Sequence, residues 1–372
     1  MPTSGAYLIV GAAAALITFA VTPIVGLLAR RFGWVYEPNE RTVHTSPMPN
    51  VGGIALFIGF VGAFAISRLM NGFDPLFARN SEPRGVLFAA AVMFVVGFID
   101  DIRDISAPAK VAGTVAVGAV LVYYGVTMYY FRLPFLDVWI LSDDWIPLVT
   151  VLWVLVMSQS INLIDGLDGL AAGIVAIGAG AFFLYSQTLS ERDLLIAPNI
   201  GPLIAIITVG ICLGFLPHNF NPARIFMGDG GALLLGLLLA VSTSVVGGRA
   251  DPMTDVIAGQ AYFFLAPLFI PLFILGVPII DTLFAVLRRA RSGKGLATAD
   301  KGHLHHRLME MGHGQRRSVL ILWGWTALLS AFVLYPVITD SGLSYVPIGA
   351  AMLGLSLYTV LHPQIRHKRS AG

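Results

Sequence analysis

The stretch from Ala6 to Leu28 contains no charged side chain, and similar apolar stretches recur almost to the end of the chain. A helix that crosses a bilayer needs about 20 mostly apolar residues, because lipid offers its backbone no hydrogen-bond partners. By that ruler about eleven segments qualify. Their approximate cores are 6–28, 51–69, 85–99, 109–128, 146–161, 169–188, 200–216, 231–246, 260–287, 318–337 and 344–362. The runs are continuous rather than alternating, which excludes a transmembrane β-barrel. Only 12% of the residues are charged, where soluble domains carry about 25%. The expected fold is therefore an all-α polytopic membrane protein, with residues 1–372 forming one integral membrane domain. The first run is expected to be a span rather than a cleaved leader, since Met1 to Gly5 carries no basic side chain and Arg30-Arg31 follow the run.

Basic residues in loops mark the cytoplasmic side. The loops after odd-numbered spans, together with the C-terminal tail, hold 17 of the 23 Lys and Arg residues. That places the N-terminus outside and the C-terminus in the cytoplasm. All eight histidines fall on the same side, as do Asp100, Asp101, Asp165, Asp168 and Asp229. Chemistry is therefore expected at the cytoplasmic face. The ninth segment contains Pro267, Pro271 and Pro278, so a kinked or broken helix is expected there. A net charge of +2 offers no field for nucleic acid, and the lone Cys212, among apolar neighbours, reads as a small packed hydrophobe.

Five polar clusters fall in five successive cytoplasmic loops. His44 to Gly53 ends in a glycine pair, which permits close approach of a ligand or of another helix. Asp100-Asp101 with Lys110 suits a magnesium–phosphate site, because Mg²⁺ takes hard oxygen ligands. Asn162, Asp165 and Asp168 are spaced three apart, and on a helix they would drift round one side. Asn219 precedes Gly228-Asp229-Gly230-Gly231, where a helix start could favour bound phosphate or use Asp229 as a plain N-cap. His303, His305, His306 and Arg307 lie in the most basic loop, which suits a polyanion better than zinc. Acids, cations and an apolar bundle together suggest phosphoryl transfer onto a membrane-embedded acceptor.

Asp-Asp at the end of the third span, Asn-Leu-Ile-Asp-Gly-Leu-Asp-Gly, Phe-Met-Gly-Asp-Gly-Gly and His-Leu-His-His-Arg-Leu resemble the polyprenyl-phosphate N-acetylhexosamine-1-phosphate transferases (glycosyltransferase family 4). The resemblance covers nearly the whole chain in order. It implies Mg²⁺-dependent transfer of a sugar 1-phosphate from a UDP-sugar to an undecaprenyl or decaprenyl phosphate, with release of UMP, as the first membrane step of a cell-wall or surface polysaccharide pathway. Mn²⁺ would serve as a substitute ion. The branch using UDP-MurNAc-pentapeptide carries three consecutive histidines followed by an acid. The His-Leu-His-His-Arg order here is more similar to the UDP-GlcNAc branch. A homodimer in the bacterial inner membrane is implied as well.

Position by position, the resemblance makes Asp229 the metal carboxylate and Asn162 a second ligand. Asp100 and Asp101 become the catalytic pair, and Lys110 holds the lipid phosphate. Asp168 and Asn219 contact uridine with Asp165 nearby, and His303, His305, His306 and Arg307 clamp the diphosphate or sugar. A secondary transporter is disfavoured because these acids sit at helix ends on one face, not at the bilayer midplane.

Overall fold

The computed structural model describes residues 2–36, 47–78, 80–132, 138–248, 276, 308–309, 311–339 and 345–370. Eleven described helices follow in chain order: α1 Ser4–Phe32, α2 Gly53–Leu69, α3 Asp74–Phe77, α4 Glu82–Arg103, α5 Ala107–Tyr123, α6 Trp145–Ile164, α7 Leu170–Glu191, α8 Gly201–Asn219, α9 Gly228–Gly247, α10 Gln315–Thr339 and α11 Tyr345–Ser370. Setting aside the four-residue α3, these coincide with ten of the eleven expected segments. The ninth segment, with its three prolines, lies outside the described residues.

Seven of the helices are long and apolar enough to cross a membrane, and an eighth is gained if α2 is joined to the short turns after it, which bend away by 91°. Of the other expected spans, the ninth lies outside the described residues and two fall short in apolar length. The apolar lengths of α5 and α11 stop short of a full span. The short segments around 146–161 and 231–246 extend into 20-residue helices. Two antiparallel pairs, β1 (Val35–Tyr36) with β2 (Met48–Pro49) and β3 (Tyr130–Arg132) with β4 (Val138–Ile140), are the strands among the described residues.

A helix that is apolar all round belongs at the centre of a bundle, and α9 is buried along its whole apolar length. Small residues let its neighbours approach to backbone contact, the usual device of membrane helices. A Cβ at Gly97 on α4 would lie 2.5 Å from the Gly230 Cα, and one at Gly236 would lie 2.5 Å from the Ser158 Cα on α6. The Gly210 and Gly214 pair on α8 packs in the same manner onto the Gly11 and Ala15 backbone of α1. Cys212 lies between these two glycines, fully buried. The Trp153 indole donates to the Thr243 hydroxyl (3.0 Å), joining α6 to α9 inside the bundle.

Two further ties follow from proline chemistry. Proline has no N–H, so the carbonyl four residues before it loses its helical partner. Pro23 in α1 frees the Phe19 carbonyl, and His218 Nε2 on α8 lies 3.1 Å from that oxygen. The His313 ring nitrogen lies 2.7 Å from the Thr359 carbonyl of α11, and Pro363 follows Thr359 by four residues. A carbonyl can only accept, so each imidazole donates. Two of the eight histidines that suggested chemistry on one side therefore brace helices.

Candidate active site

Four helix ends meet at one end of the bundle: the C-termini of α4 and α6 and the N-termini of α5 and α9. They bring Asp100, Asp101, Lys110, Asn162 and Asp229 together. Lys110 occupies the middle. Its ammonium is 2.7 Å from Asp100 Oδ2 and is also paired with Asp229 Oδ2. The Asn162 amide donates to the same Asp229 oxygen at 3.2 Å. The other Asp100 oxygen accepts the Ile105 N–H at 2.9 Å, holding the turn that leads from α4 to α5. One lysine thus bridges two carboxylates that lie 129 residues apart in the sequence. Asp229 is the more open of the two, its side chain 27% exposed against 9% for Asp100.

The adjacent aspartates face different ways. Asp101 Oδ1 accepts the Asp229 N–H (2.7 Å), and Oδ2 accepts the Gly230 N–H (3.0 Å). The first turn of α9 is therefore capped from α4. Asp229 does not cap its own helix, which disposes of the plain N-cap reading; its carboxylate turns to Lys110 and Asn162. The Gly52-Gly53 pair serves helix packing. Gly52 and Gly53 donate to the Phe226 and Met227 carbonyls at 2.9 and 2.8 Å, and a Cβ on Gly53 would collide with the Gly231 nitrogen.

The Asn162, Asp165 and Asp168 series does not share a helix. α6 ends at Ile164, Asp165 is its cap, and Gly169 takes φ +77° before α7 begins. Glycines at 166 and 169 break the helix that the spacing assumed. Burial pushes the Asp165 carboxyl up to about 8, with the negative charges of Asp229 and Asp168 adding to the effect. Asp168, 3% exposed, accepts from the Asn221 amide (2.9 Å) and the Ala223 N–H (3.0 Å). Asn221 in turn donates to Gln315 (2.8 Å), and Arg316 donates to Asn221 (3.0 Å). Asn219 is 2% exposed and spends both polar atoms on backbone, accepting from Gly169 N–H (3.1 Å) and donating to the Ile225 carbonyl (2.9 Å). In this structure Asp168 and Asn219 brace the α8–α9 loop. His44, His303, His305, His306 and Arg307 lie outside the described residues. Asn50, whose amide is 3.3 Å from Asp101 Oδ1, was not singled out by sequence reasoning, although it stands inside the His44 to Gly53 motif.

Among the described residues no three His, Cys, Asp or Glu side chains converge on a closed metal cage. Magnesium does not require one, since it keeps waters and uses one or two carboxylates plus substrate phosphates. The oxygen donors of Asp229 and Asn162 fit that habit.

Residues 84–247 match the family model of glycosyl transferase family 4. The decaprenyl-phosphate N-acetylglucosaminephosphotransferase of Mycolicibacterium smegmatis is 34% identical over 365 residues, 96% of this chain and 88% of the relative. That of Mycobacterium tuberculosis is 37% identical over 329 residues, 87% of this chain and 80% of the relative. The phospho-N-acetylmuramoyl-pentapeptide-transferase of Chloroherpeton thalassium is 30% identical over 302 residues, 74% of this chain and 76% of the relative. Likeness of this extent shows that the protein belongs to glycosyl transferase family 4.

Proposed function

We propose that this protein transfers N-acetylglucosamine 1-phosphate from UDP-N-acetylglucosamine to a polyprenyl phosphate and releases UMP. The observation that carries the reading is the Asp100–Lys110–Asp229 group with Asn162, two carboxylates bridged by one lysine at the end of an apolar bundle. Mycobacterial relatives named for the N-acetylglucosamine transfer match at higher identity than the N-acetylmuramoyl-pentapeptide relative, which supports the simpler sugar.

In this reading an oxygen of the lipid phosphate attacks the sugar-bearing phosphorus of the UDP-sugar. A new P–O bond forms while the P–O bond to UMP breaks, its electron pair departing on the UMP oxygen, and the lipid then carries a diphosphate-linked sugar. Asp100 orients the incoming lipid phosphate, or takes its last proton. Lys110 exchanges its pairing with Asp229 for one with that phosphate. Asp229 and Asn162 would hold Mg²⁺ or Mn²⁺, which when bound would neutralise the diphosphate and polarise it toward attack. Asp165 stands beside this group. Asp168 and Asn219 shape the uridine side through the loop they brace. His303, His305, His306 and Arg307 supply cations for the diphosphate. The same proposal places the cluster on the cytoplasmic face of a bacterial inner membrane, from the bias of Lys and Arg in the loops, and takes the protein to be a homodimer.

The test incubates purified protein with labelled UDP-N-acetylglucosamine or UDP-MurNAc-pentapeptide, polyprenyl phosphate and Mg²⁺, then counts label in the organic phase. Label from the first donor alone is expected. Label from the pentapeptide donor alone, or none from either, overturns the reading.

A further inference from the structure

We infer that Asn50 and Asp101 form a positioning clamp, which holds the first turn of α9 and with it the Asp229 carboxylate in register against α4. The inference rests on the transfer reading for its kinetic consequence and on geometry alone for its existence.

The N-terminus of α9 has no side chain of its own to satisfy it. Met227 occupies the N-cap position and makes no side-chain cap bond, although the first amides of a helix need acceptors. Asp101 supplies both oxygens to the Asp229 and Gly230 amides. The Asp101 carboxyl also meets the positive end of the helix dipole there. Access is built into the backbone. Gly228 sits at φ +68°, and a Cβ there would fall 2.6 Å from both Asp101 oxygens. The Gly97–Gly230 contact lies one helical turn before Asp101 and sets the distance between the two helices.

Asn50 closes the third side. Its neighbours are zipped along the chain that enters α9: the Pro49 carbonyl accepts the Phe226 N–H at 2.8 Å, and Gly52 and Gly53 return two bonds to residues 226 and 227. From that edge the Asn50 amide donates to Asp101 Oδ1 at 3.3 Å. Asp101 therefore spends its oxygens on amides, whereas Asp100 faces Lys110. The neighbouring aspartates divide the work: Asp100 faces the reacting groups, and Asp101 acts through α9.

Hydrogen exchange on the purified full-length protein tests this without any turnover. In Asp101→Ala, a peptide covering residues 227–233 should exchange about 2- to 30-fold faster, the loss expected for a helix cap. Asn50→Ala should accelerate the same peptide less, and Asp100→Ala should leave it unchanged. In the transfer assay, Asn50→Ala should raise the Mg²⁺ concentration for half-maximal rate while the KM for UDP-N-acetylglucosamine stays within about twofold. Asn50→Asp, which cannot donate when ionised, should behave like Asn50→Ala, and Asn50→Gln should recover part of the metal response. Should Asp101→Ala fail to fold, the Asn50 series decides. Unchanged exchange at residues 227–233, or an unchanged magnesium response in Asn50→Ala, overturns the clamp. A wild-type protein that transfers nothing overturns the transfer reading alone, because the exchange result still stands or falls separately.

Discussion

Lys110 is the cation that lies between the carboxylates of the site. Its ammonium stands against Asp100 and Asp229, and like charges this close repel unless a cation lies between them. Replacing it by methionine should lower turnover by about 10²–10³-fold, the scale seen when a preorganised electrostatic partner is removed. It should also make the fold more dependent on added divalent ion. Thermal unfolding in detergent with and without Mg²⁺ checks this: a larger magnesium-induced rise in Tm is expected for Lys110→Met than for wild type. An equal rise would mean that the ion does not bind at Asp229. Asp165 sets a pH dependence. Its carboxyl has an ordinary value of 3.8 and is pushed up to about 8 in the fold. Between those values the folded chain keeps a proton that the unfolded chain gives up, so stability falls as pH rises through that window. Asp165→Asn removes the titrating group. Its Tm advantage over wild type should grow from pH 5 to pH 8 and then level off, as followed by scanning fluorimetry across buffers. An advantage that shrinks with pH would reverse the sign and refute the burial argument.

Helices in this bundle are joined where proline breaks their own bonding. His218 reaches the Phe19 carbonyl that Pro23 frees, and the imidazole also packs at a tilt against the Phe19 ring with centroids 4.9 Å apart. His218→Phe keeps a ring but removes the donor. The cost should be about 0.6–1.7 kcal/mol, the range of interhelical hydrogen bonds in membrane proteins. In a Pro23→Ala background, residue 23 again offers an N–H to Phe19, so the same histidine substitution should cost nearly nothing. A thermal double-mutant cycle measures this coupling directly, and equal losses in both backgrounds would show that His218 stabilises α1 by ring packing alone. His313, two residues before α10, offers a parallel case with Thr359 on α11. At the same scale, Gly173 leaves a slot into which the Trp323 indole packs, and that indole donates to the Leu170 carbonyl at 3.3 Å. α10 is thereby locked onto the start of α7, beside the Asp168–Asn221–Gln315 network.

Across the whole molecule, the polar cluster is confined to one end of the bundle and a small strand pair, β3 with β4, stands at the end of α5 and the start of α6. The lysine and arginine distribution predicts which end meets the cytoplasm. Ser142 and Gly314 are both exposed and fall on opposite predicted sides. The single native cysteine, Cys212, is fully buried, so a cysteine introduced at either position can be read against a quiet background. A membrane-impermeant maleimide applied to intact cells should label Ser142→Cys and spare Gly314→Cys. The reverse pattern would turn the bundle over and put the cluster on the outer face.

Apolar run length alone determined that this chain is a helical membrane protein, since lipid leaves the backbone no partner outside a helix or a closed barrel. Motif spacing located the acids, because carboxylates at the ends of apolar segments are costly unless they are used. What the residues do to one another was decided by tertiary contact. Nothing in the order Asp100-Asp101 tells which side chain faces Lys110 and which caps α9; that depends on a helix more than a hundred residues away meeting α4 at Gly97. Asn219 and Asp168 read as ligand contacts from their motifs, yet burial and backbone bonding make them braces for the α8–α9 loop. Histidine count suggested a site, and two of the histidines answer to prolines in other helices. Sequence patterning carries the cost of placing a group in lipid, which is a property of one segment. Pairing of donors with acceptors is a property of two, and it exists only once the helices have packed.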